Sequence, residues 1–582
     1  MSKGVVFNNT NYELSNLISD VDSGIIALPD LQRPFVWKDK QIRDLIDSLY
    51  KGLPAGLIIL WKVGDNSEFK PIGFDKSTTP NRLVIDGQQR LTSLFTIFTG
   101  KKVLDKNYKS RLPRIGFNPL TEEIDVINSS KEKDVEWINN ITEIFLDKRN
   151  VRKTYIKSLK EKKPEIAIDE DLIEDNLDRI ADIKHYPFSV LELSSDLDPE
   201  EVSEIFVRIN SKGKVLNQSD FILTLLSIYY DEGRVALEEF SKGCKNPSVD
   251  GEFTSYNRIN AFPDPEHLIR SAVAYAFYRG RLKYAYLILK GRDFENRITT
   301  KELRDTNLEI FKEALGDVLN IVYWQDYINL ISSIGFINYK DLISSQVGFY
   351  VTYALYLIGK IKFKVDIYEL NRIISKWFVF SQLTQRYSGS PESIIEQDLI
   401  SIKNTQDFVD VLNNIMDNEL TNDYWNITLP QRNMVSSRYN YAFKVYNASL
   451  IYKDENILFS HTKLRDQLRP DIKSPKKSID KHHIFPQNYL KKQGLEQTQY
   501  NQQANMIYIE YMDNIRISDK PPYDYWPMML NLLNENERHE IEENYQEAYD
   551  LPYEFWNMEY NEFLTERRKL IAKSIRKYFE ML

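Results

Sequence analysis

The stretch Leu83-Val84-Ile85-Asp86-Gly87-Gln88-Gln89-Arg90-Leu91-Thr92-Ser93-Leu94 reads as a buried strand, a tight turn at Gly87 and a helix beginning near Gln89. A strand that runs straight into a helix places Asp86, Gln88 and Arg90 at the helix N-terminus. There, backbone N–H groups and a guanidinium can meet phosphate oxygens. The alternative is structural, with Asp86 and Arg90 paired across the turn. Working outward, Ile25 to Leu28, Gly56 to Trp61 and Arg82 to Ile85 are short apolar runs with strand length. Lys40 to Tyr50 instead sets Ile42, Leu45, Ile46 and Leu49 at helical spacing, and Leu91 to Phe98 continues as a helix. Residues 1–225 are therefore expected to form an α/β domain. The charged segment 130–183, with its lysine-rich run Lys157 to Lys163, is expected as a helical, solvent-facing insertion.

The 582 residues exceed one hydrophobic core, and the 42% apolar and 13% aromatic content is that of a globular protein. No stretch of 18 apolar residues and no signal-like N-terminus is present, so a cytoplasmic protein without membrane contact is expected. Cys244 is the single cysteine, which excludes an intrachain disulfide and every thiolate zinc cluster. A metal would have to use His, Asn, Asp or Glu, a donor set that suits Mg²⁺ or Mn²⁺, with zinc open through histidine. The net charge of −9 argues against a protein that coats nucleic acid nonspecifically. Two basic strips stand out against it. Residues 463–481 hold seven basic residues, among them Lys476, Lys477 and Lys481, against three acids. The other is Arg567-Arg568-Lys569 with Lys573 and Arg576-Lys577. Taken alone, each reads as a solvated face.

From about 226 to 420 apolar residues recur every three to four positions, so a helical connecting region is expected, followed by a separate module over 421–582. Within the helical region Arg386-Tyr387-Ser388-Gly389-Ser390-Pro391-Glu392 reads as a helix-to-helix turn, or as a loop that touches DNA.

The chain has six histidines, and two of them are adjacent in Asp480-Lys481-His482-His483-Ile484-Phe485-Pro486, with Asn505 and Asn514 downstream. Phosphodiester hydrolysis needs a base for water, a cation on the phosphate and groups that hold both. His483 can be neutral at cellular pH and accept the proton. His482 points elsewhere and can bind metal with Asn514, and Asp480 can be a further ligand or a partner of a ring N–H. Asn505 can hydrogen-bond the His483 imidazole or backbone. Lys520 can contact phosphate. The alternative is a polar turn before Pro486 with asparagine caps.

The string DKHHIFPQNYL, followed by NQQANMIYIEYMDNIRISDKPPYDYW, resembles an HNH nuclease module of ββα-metal fold. The resemblance implies His483 as general base, His482 and Asn514 as metal ligands, and Asn505 as the residue that orients the base. Asn514 stands where the family often has His. The Asp86–Arg90 turn, Leu31-Gln32-Arg33-Pro34-Phe35-Val36-Trp37, Gly52 to Gly56 and Phe206 to Gly213 resemble the DGQQR domain of GmrSD-type restriction proteins, related in fold to ParB and sulfiredoxin domains. Leu31 departs slightly, where an aromatic often stands. That resemblance implies binding and hydrolysis of a nucleoside triphosphate, or sensing of modified DNA. The residues it points to are Asp86, Gly87, Gln88 and Arg90, with Gln32, Arg33, Arg208 and Asn210. Asp86 and Arg90 would be catalytic. Together the two resemblances imply an α+β multidomain nuclease of anti-phage defence that cuts DNA, modified phage DNA above all. Cleavage of two strands would be easier for a homodimer. Competing readings are a DNA-binding regulator with an idle HNH module, and a defence protein that acts mainly as an NTPase.

Overall fold

The computed structural model describes residues 5–27, 37–62, 81–104, 110–164, 168–197, 201–202, 205, 222–223, 226, 230–245, 258–289, 291–293, 298–389, 391–432, 441–470 and 479–582. It is a mixed α+β protein that folds as two compact units, Met1–Arg234 and Val235–Leu582.

The first unit opens with β1 (Phe7–Glu13), α1 (Leu14–Asp22), β2 (Ile26–Ala27), α2 (Asp39–Tyr50), β3 (Ile58–Lys62), β4 (Arg82–Asp86) and α3 (Gln88–Thr99). Two small hairpins follow, β5 (Val103–Leu104) with β6 (Ser110–Arg111) and β7 (Ile115–Asn118) with β8 (Glu123–Val126). The unit then runs through α4 (Thr142–Lys162) and α5 (Glu170–Ala181) to β9 (Pro187–Leu193). Five strands form one mixed sheet in the order β1-β9-β3-β4-β2. β9 is parallel to β3 and antiparallel to β1, and β4 is antiparallel to β3 and parallel to β2.

Alternation sorts the sheet's side chains. Ile58, Leu60, Val84, Phe188 and Val190 face a core shared with α1, α2 and α3, while Ile59, Trp61 and Leu193 face the other side with Leu197 and Val202. The charged insertion departs from its expected exposure. Ile144, Tyr155, Ile156 and Leu159 of α4 and Ile173, Leu177 and Ile180 of α5 belong to the same core as the sheet. The charges lie on the outer faces of these helices, in pairs such as Lys160–Glu170 and Arg152–Glu174.

The second unit is built on helices. Gln346–Leu357 lies at its centre, with every residue from Gly348 to Leu357 buried, as expected of a helix apolar all round. Trp324, Tyr327, Phe349, Tyr350 and Tyr353 pack ring against ring there, mostly edge to face. Buried phenols find carbonyls, Tyr327 donating to Phe349 O at 2.6 Å and Tyr353 to Val318 O at 2.9 Å. The Arg386-Tyr387 turn is an internal clamp. Arg386 donates through Nε and Nη2 to the Asp398 carboxylate, and Tyr387 Oη donates to Asp398 Oδ2 at 2.8 Å. Asp398 is buried and Arg386 nearly so, which leaves neither for a DNA contact. The C-terminal segment packs on these helices, with Tyr578 Oη donating to Ile334 O at 2.5 Å. Among the described residues no helix is long and apolar enough to cross a membrane.

Candidate functional site

In the second unit, β10 (Ile479–His483) and β11 (Met506–Glu510) form an antiparallel hairpin with His482 opposite Ile507 and His483 opposite Met506. The short helix Tyr511–Ile517 follows β11 directly and packs against both strands. Successive strand residues point to opposite faces, so Asp480 and His482 share one face and Lys481 and His483 the other. Each histidine therefore meets its own set of partners.

On the first face His482 is 4% exposed and its Nδ1 lies 2.9 Å from Asn514 Oδ1. Asn514 Nδ2 donates in turn to Asp480 Oδ2 at 3.1 Å. His482, Asn514 and Asp480 thus form a single hydrogen-bonded row from strand to helix. Tyr525 closes the apolar side of the imidazole, edge on at 5.8 Å. Burial pushes the His482 pKa down to about 4, with the His483 ring charge adding to the effect, so the imidazole is neutral at cellular pH. Its Nε2 is buried with no hydrogen-bond partner.

On the second face His483 Nε2 lies 2.8 Å from Asn501 Oδ1, and the amide of Gln487 sits 3.1 Å from the same nitrogen and 3.3 Å from Asn501 Oδ1. An amide oxygen only accepts, so Nε2 carries the proton toward Asn501 and Nδ1 holds the lone pair. Burial lowers the His483 pKa, against the raising effect of the Asn501 bond. Asn505 is fully buried and does not reach the imidazole. Its Oδ1 accepts from Phe485 N at 2.8 Å and its Nδ2 donates to Phe485 O at 3.0 Å and Tyr500 O at 3.2 Å. It pins the backbone two residues beyond His483 and so fixes the ring indirectly.

Sequence reasoning missed Asn501 and Gln487, the side chains whose polar atoms meet His483 Nε2. The C-terminal basic strip also departs in part from a solvated face. Arg567 is 1% exposed, and its Nη1 donates to Ala504 O at 2.8 Å and Met506 O at 2.9 Å, the carbonyls on either side of Asn505. Arg568 donates to Gln502 at 3.1 Å, and Lys569 and Arg576 pair with Glu566 and Glu580 on their own helix. Of the DNA-contact candidates, Lys481 lies 5.6 Å over the Tyr508 ring, and Lys520 is exposed with Nζ on Arg516 O at 2.8 Å. Lys476 and Lys477 fall outside the described residues. The other histidines are engaged elsewhere: His185 with Glu13, His461 with Glu537, His539 with Glu543, and His267 stacked on Tyr350.

In the first unit Gly87 caps α3 with φ 90°, and a Cβ there would stand 3.1 Å from Ile58 Cγ1 and 3.2 Å from Ile58 Cα. The turn therefore needs glycine both for its backbone and for its closeness to β3. Asp86 and Arg90 come together across it, 3.6 Å apart, while Arg90 Nη1 donates to Ala55 O at 3.3 Å. Burial lowers the Arg90 pKa, and Asp86 offsets this only in part. Gln88 Nε2 donates to Val84 O at 3.0 Å. Gln32, Arg33, Arg208 and Asn210 lie outside the described residues.

Residues 14–227 match the family model of the GmrSD restriction endonuclease N-terminal domain. Over 560 residues, 89% of this chain and 87% of the relative, the chain is 25% identical to the uncharacterized protein MJ0686 of Methanocaldococcus jannaschii. The first unit is thus similar to the N-terminal domain of GmrSD restriction endonucleases.

Proposed function

We propose that the chain is a metal-dependent DNA endonuclease of restriction type. Its cutting site is an HNH-like centre at His482 and His483, and its N-terminal domain is ParB-like and senses a nucleotide or a DNA modification. The observation that carries the reading is the division of the histidine pair. One imidazole is tied to Asn514 and Asp480, and its neighbour is held by Asn501 with a ring nitrogen left to accept a proton.

The His482 row suits a divalent cation. Two cis ligands of an octahedral ion at about 2.1 Å lie about 3 Å apart, close to the 2.9 Å between His482 Nδ1 and Asn514 Oδ1. Metal ligands must be deprotonated, and burial keeps His482 neutral. Mg²⁺ or Mn²⁺ held by His482 and Asn514, with Asp480 behind them, would neutralise charge on the phosphate and the leaving oxygen. No three His, Cys, Asp or Glu side chains gather into a metal-holding group anywhere among the described residues, this site included, so the set proposed here depends on the Asn514 amide oxygen.

In this reading His483 Nδ1 takes the proton from the attacking water, and the Nε2–H bond to Asn501 steadies the imidazolium that forms. Asn505 and Arg567 hold the loop behind it. Lys481 and Lys520, with Lys476 and Lys477, supply phosphate contacts. In the first unit Asp86, Gly87, Gln88 and Arg90 are the described part of a phosphate site for a nucleoside triphosphate, whose hydrolysis or binding licenses the cut. Modified phage DNA is the proposed target, and a homodimer would place one site on each strand.

The deciding experiment is cleavage of plasmid, unmodified phage DNA and glucosylated phage DNA. It is run with Mg²⁺, Mn²⁺ or EDTA, with and without nucleoside triphosphate, beside His483→Ala. Cutting that requires both metal and His483 is the expected result. Absence of cutting on every substrate would overturn the nuclease reading.

A further inference from the structure

The helix Gln487–Lys492 begins just after the histidine pair and turns two side chains toward it. Gln487 and Lys491 are four residues apart, so they lie one above the other on a single helix face. Gln487 carries the amide that sits 3.1 Å from His483 Nε2. Lys491 stands one turn on, its Nζ 5.4 Å from the centre of the Tyr500 ring, and that ring meets the His483 imidazole edge on at 6.5 Å. The Lys491 charge is felt at His483. An ammonium is thus held beside the proposed base, carried by the helix and floored by an aromatic ring.

Nothing acidic meets that ammonium. Lys491 is exposed, and among the described residues no carboxylate lies within ion-pair distance of it. Other lysines of the same module are matched: Lys492 with Asp519 at 3.0 Å, Lys463 with Asp454 at 3.3 Å and Lys569 with Glu566 at 2.7 Å. The ring contact orients the Lys491 ammonium without neutralising its charge. Tyr500 itself is 7% exposed, which leaves it a floor for the lysine and no platform for a stacked base.

The position selects the partner. One exposed ammonium is too little to hold a free anion. A polyanion already held at His482 and His483 adds a single contact there at little further cost in freedom. Within that polyanion the ring decides which phosphate is reached. Gln487 and Asn501 occupy the Nε2 side of the imidazole, whereas the proton of the attacking water is taken at Nδ1, on the other side. Lys491 shares the helix face of Gln487, and so belongs to the side away from the phosphate under attack.

We propose that Lys491 binds a backbone phosphate next to the one that is cut, and that it is a positioning residue for the cleavage proposed at His483. The inference rests on the nuclease reading for its partner. Such a contact is the same before and during reaction, so it strengthens binding and leaves the chemical step alone.

The test measures DNA binding in EDTA, where nothing is cut. Fluorescent duplexes, plain and glucosylated, are titrated with the full chain between about 50 and 200 mM salt. Wild type is compared with Lys491→Gln, Lys491→Arg and Lys492→Gln. Each lysine–phosphate contact releases counterions, so Lys491→Gln should make the plot of log affinity against log salt shallower by about 0.9 and weaken binding about five- to tenfold at 0.1 M salt. Lys491→Arg keeps the charge and should restore the slope. Lys492→Gln removes a lysine already paired with Asp519 and should leave the slope unchanged. An unchanged slope in Lys491→Gln, with DNA bound by wild type, overturns the inference and leaves the nuclease reading standing. No DNA binding by wild type overturns both. With Mg²⁺ present, Lys491→Gln should raise KM by a similar factor and keep kcat within about twofold. A fall in kcat at unchanged KM overturns the assignment to a neighbouring phosphate.

Discussion

The histidine hairpin and the Asp86–Arg90 turn are both short polar strings at the end of a strand, yet they are held in different ways. Around His482 and His483 one nitrogen of each ring is met by side chains, Asn514 between His482 and Asp480 and Asn501 on His483, while Asn505 and Arg567 grip the main chain of the loop behind them. In the turn the side chains bond mostly to nearby main chain, Gln88 to Val84 O and Arg90 to Ala55 O. A side chain fixed by other side chains is committed to one geometry before any ligand arrives. One that rests on main chain can leave it, since the carbonyl it releases can be met by water. The histidine cluster is therefore preorganised, whereas the side chains of the turn are free to exchange their main-chain partners.

That contrast makes His483 the place where substitution should cost most. Removing a general base typically lowers the rate about 10²–10⁴-fold. His483→Ala should reduce metal-dependent cleavage by about that factor while the far-UV spectrum and Tm stay close to wild type. A fall of only a few fold would leave the second face of β10 without a catalytic role.

Arg567 tests preorganisation from behind. Replacing a buried, hydrogen-bonded guanidinium leaves two carbonyls and the Asp550 charge uncompensated, and such losses run to about 3–5 kcal/mol. Arg567→Met should lower stability to urea by about that much, and the Arg567→Met, Asp550→Asn double variant should recover part of it. An unchanged midpoint would mean that the loop around Asn505 holds itself.

Asp550 gives the same region a pH signature. Burial raises its pKa from an ordinary 3.8 to about 6. Because the folded value lies above the unfolded one, Asp550 favours folding most below pH 3.8, and that contribution is lost as pH rises through 6. The span corresponds to a loss on the order of 3 kcal/mol. Stability of wild type relative to Asp550→Asn should therefore fall between about pH 4 and pH 7. A flat difference would show that the carboxylate is compensated by Arg567 at every pH.

Much of this was legible in the sequence, and the failures have physical reasons. The strand-turn-helix at Leu83–Leu94 was plain because Val84 and Leu91 are buried on either side of a glycine that must take positive φ. Adjacent strand residues must face apart, which assigned His482 and His483 to different partners before the partners were known. Asn501 was invisible because loop contacts follow no spacing. Gln487 had a weak signal, four residues beyond His483 at the first position of the helix Gln487–Lys492. Arg567 had a better one. Tyr560, Phe563, Leu564, Ile571, Ile575 and Tyr578 make a buried stripe at helical spacing that passes through 567, and the surrounding lysines and arginines drew attention away from it. Helices α4 and α5 hide their inward faces for the same reason, since counting charge obscures the few positions that point inward.

Gly87→Ala sharpens the comparison from the other side. A Cβ in the left-handed region costs about 1–2 kcal/mol, and contact with Ile58 adds to it. The loss should appear in the unfolding of the first unit, in a trypsin-resistance assay of residues 5–197, with little change in fragments from the second. A loss in the second unit instead would mean that the two are coupled through the chain.

Arg90→Gln carries the smallest expected change in stability and the clearest discrimination between a structural and a ligand-binding role for the turn. The guanidinium is 20% exposed, its carboxylate partner Asp86 stands 3.6 Å away, and among the described residues its hydrogen bond is a 3.3 Å contact to Ala55 O. Burial disfavours its charge, and Asp86 only partly restores it. A cation held this weakly gains by meeting an anion, whereas a cation with a structural role would be matched already. Removing it should shift stability by less than about 1 kcal/mol, the range of loosely held ion pairs. If the proposed phosphate site binds nucleoside triphosphate, the ligand should raise the wild-type Tm and that rise should vanish in Arg90→Gln, because the lost contact is made only when phosphate is bound. A loss of about 2 kcal/mol or more, beyond the range of such pairs, with the nucleotide shift intact, would assign Arg90 to the fold and move the phosphate site elsewhere in the domain.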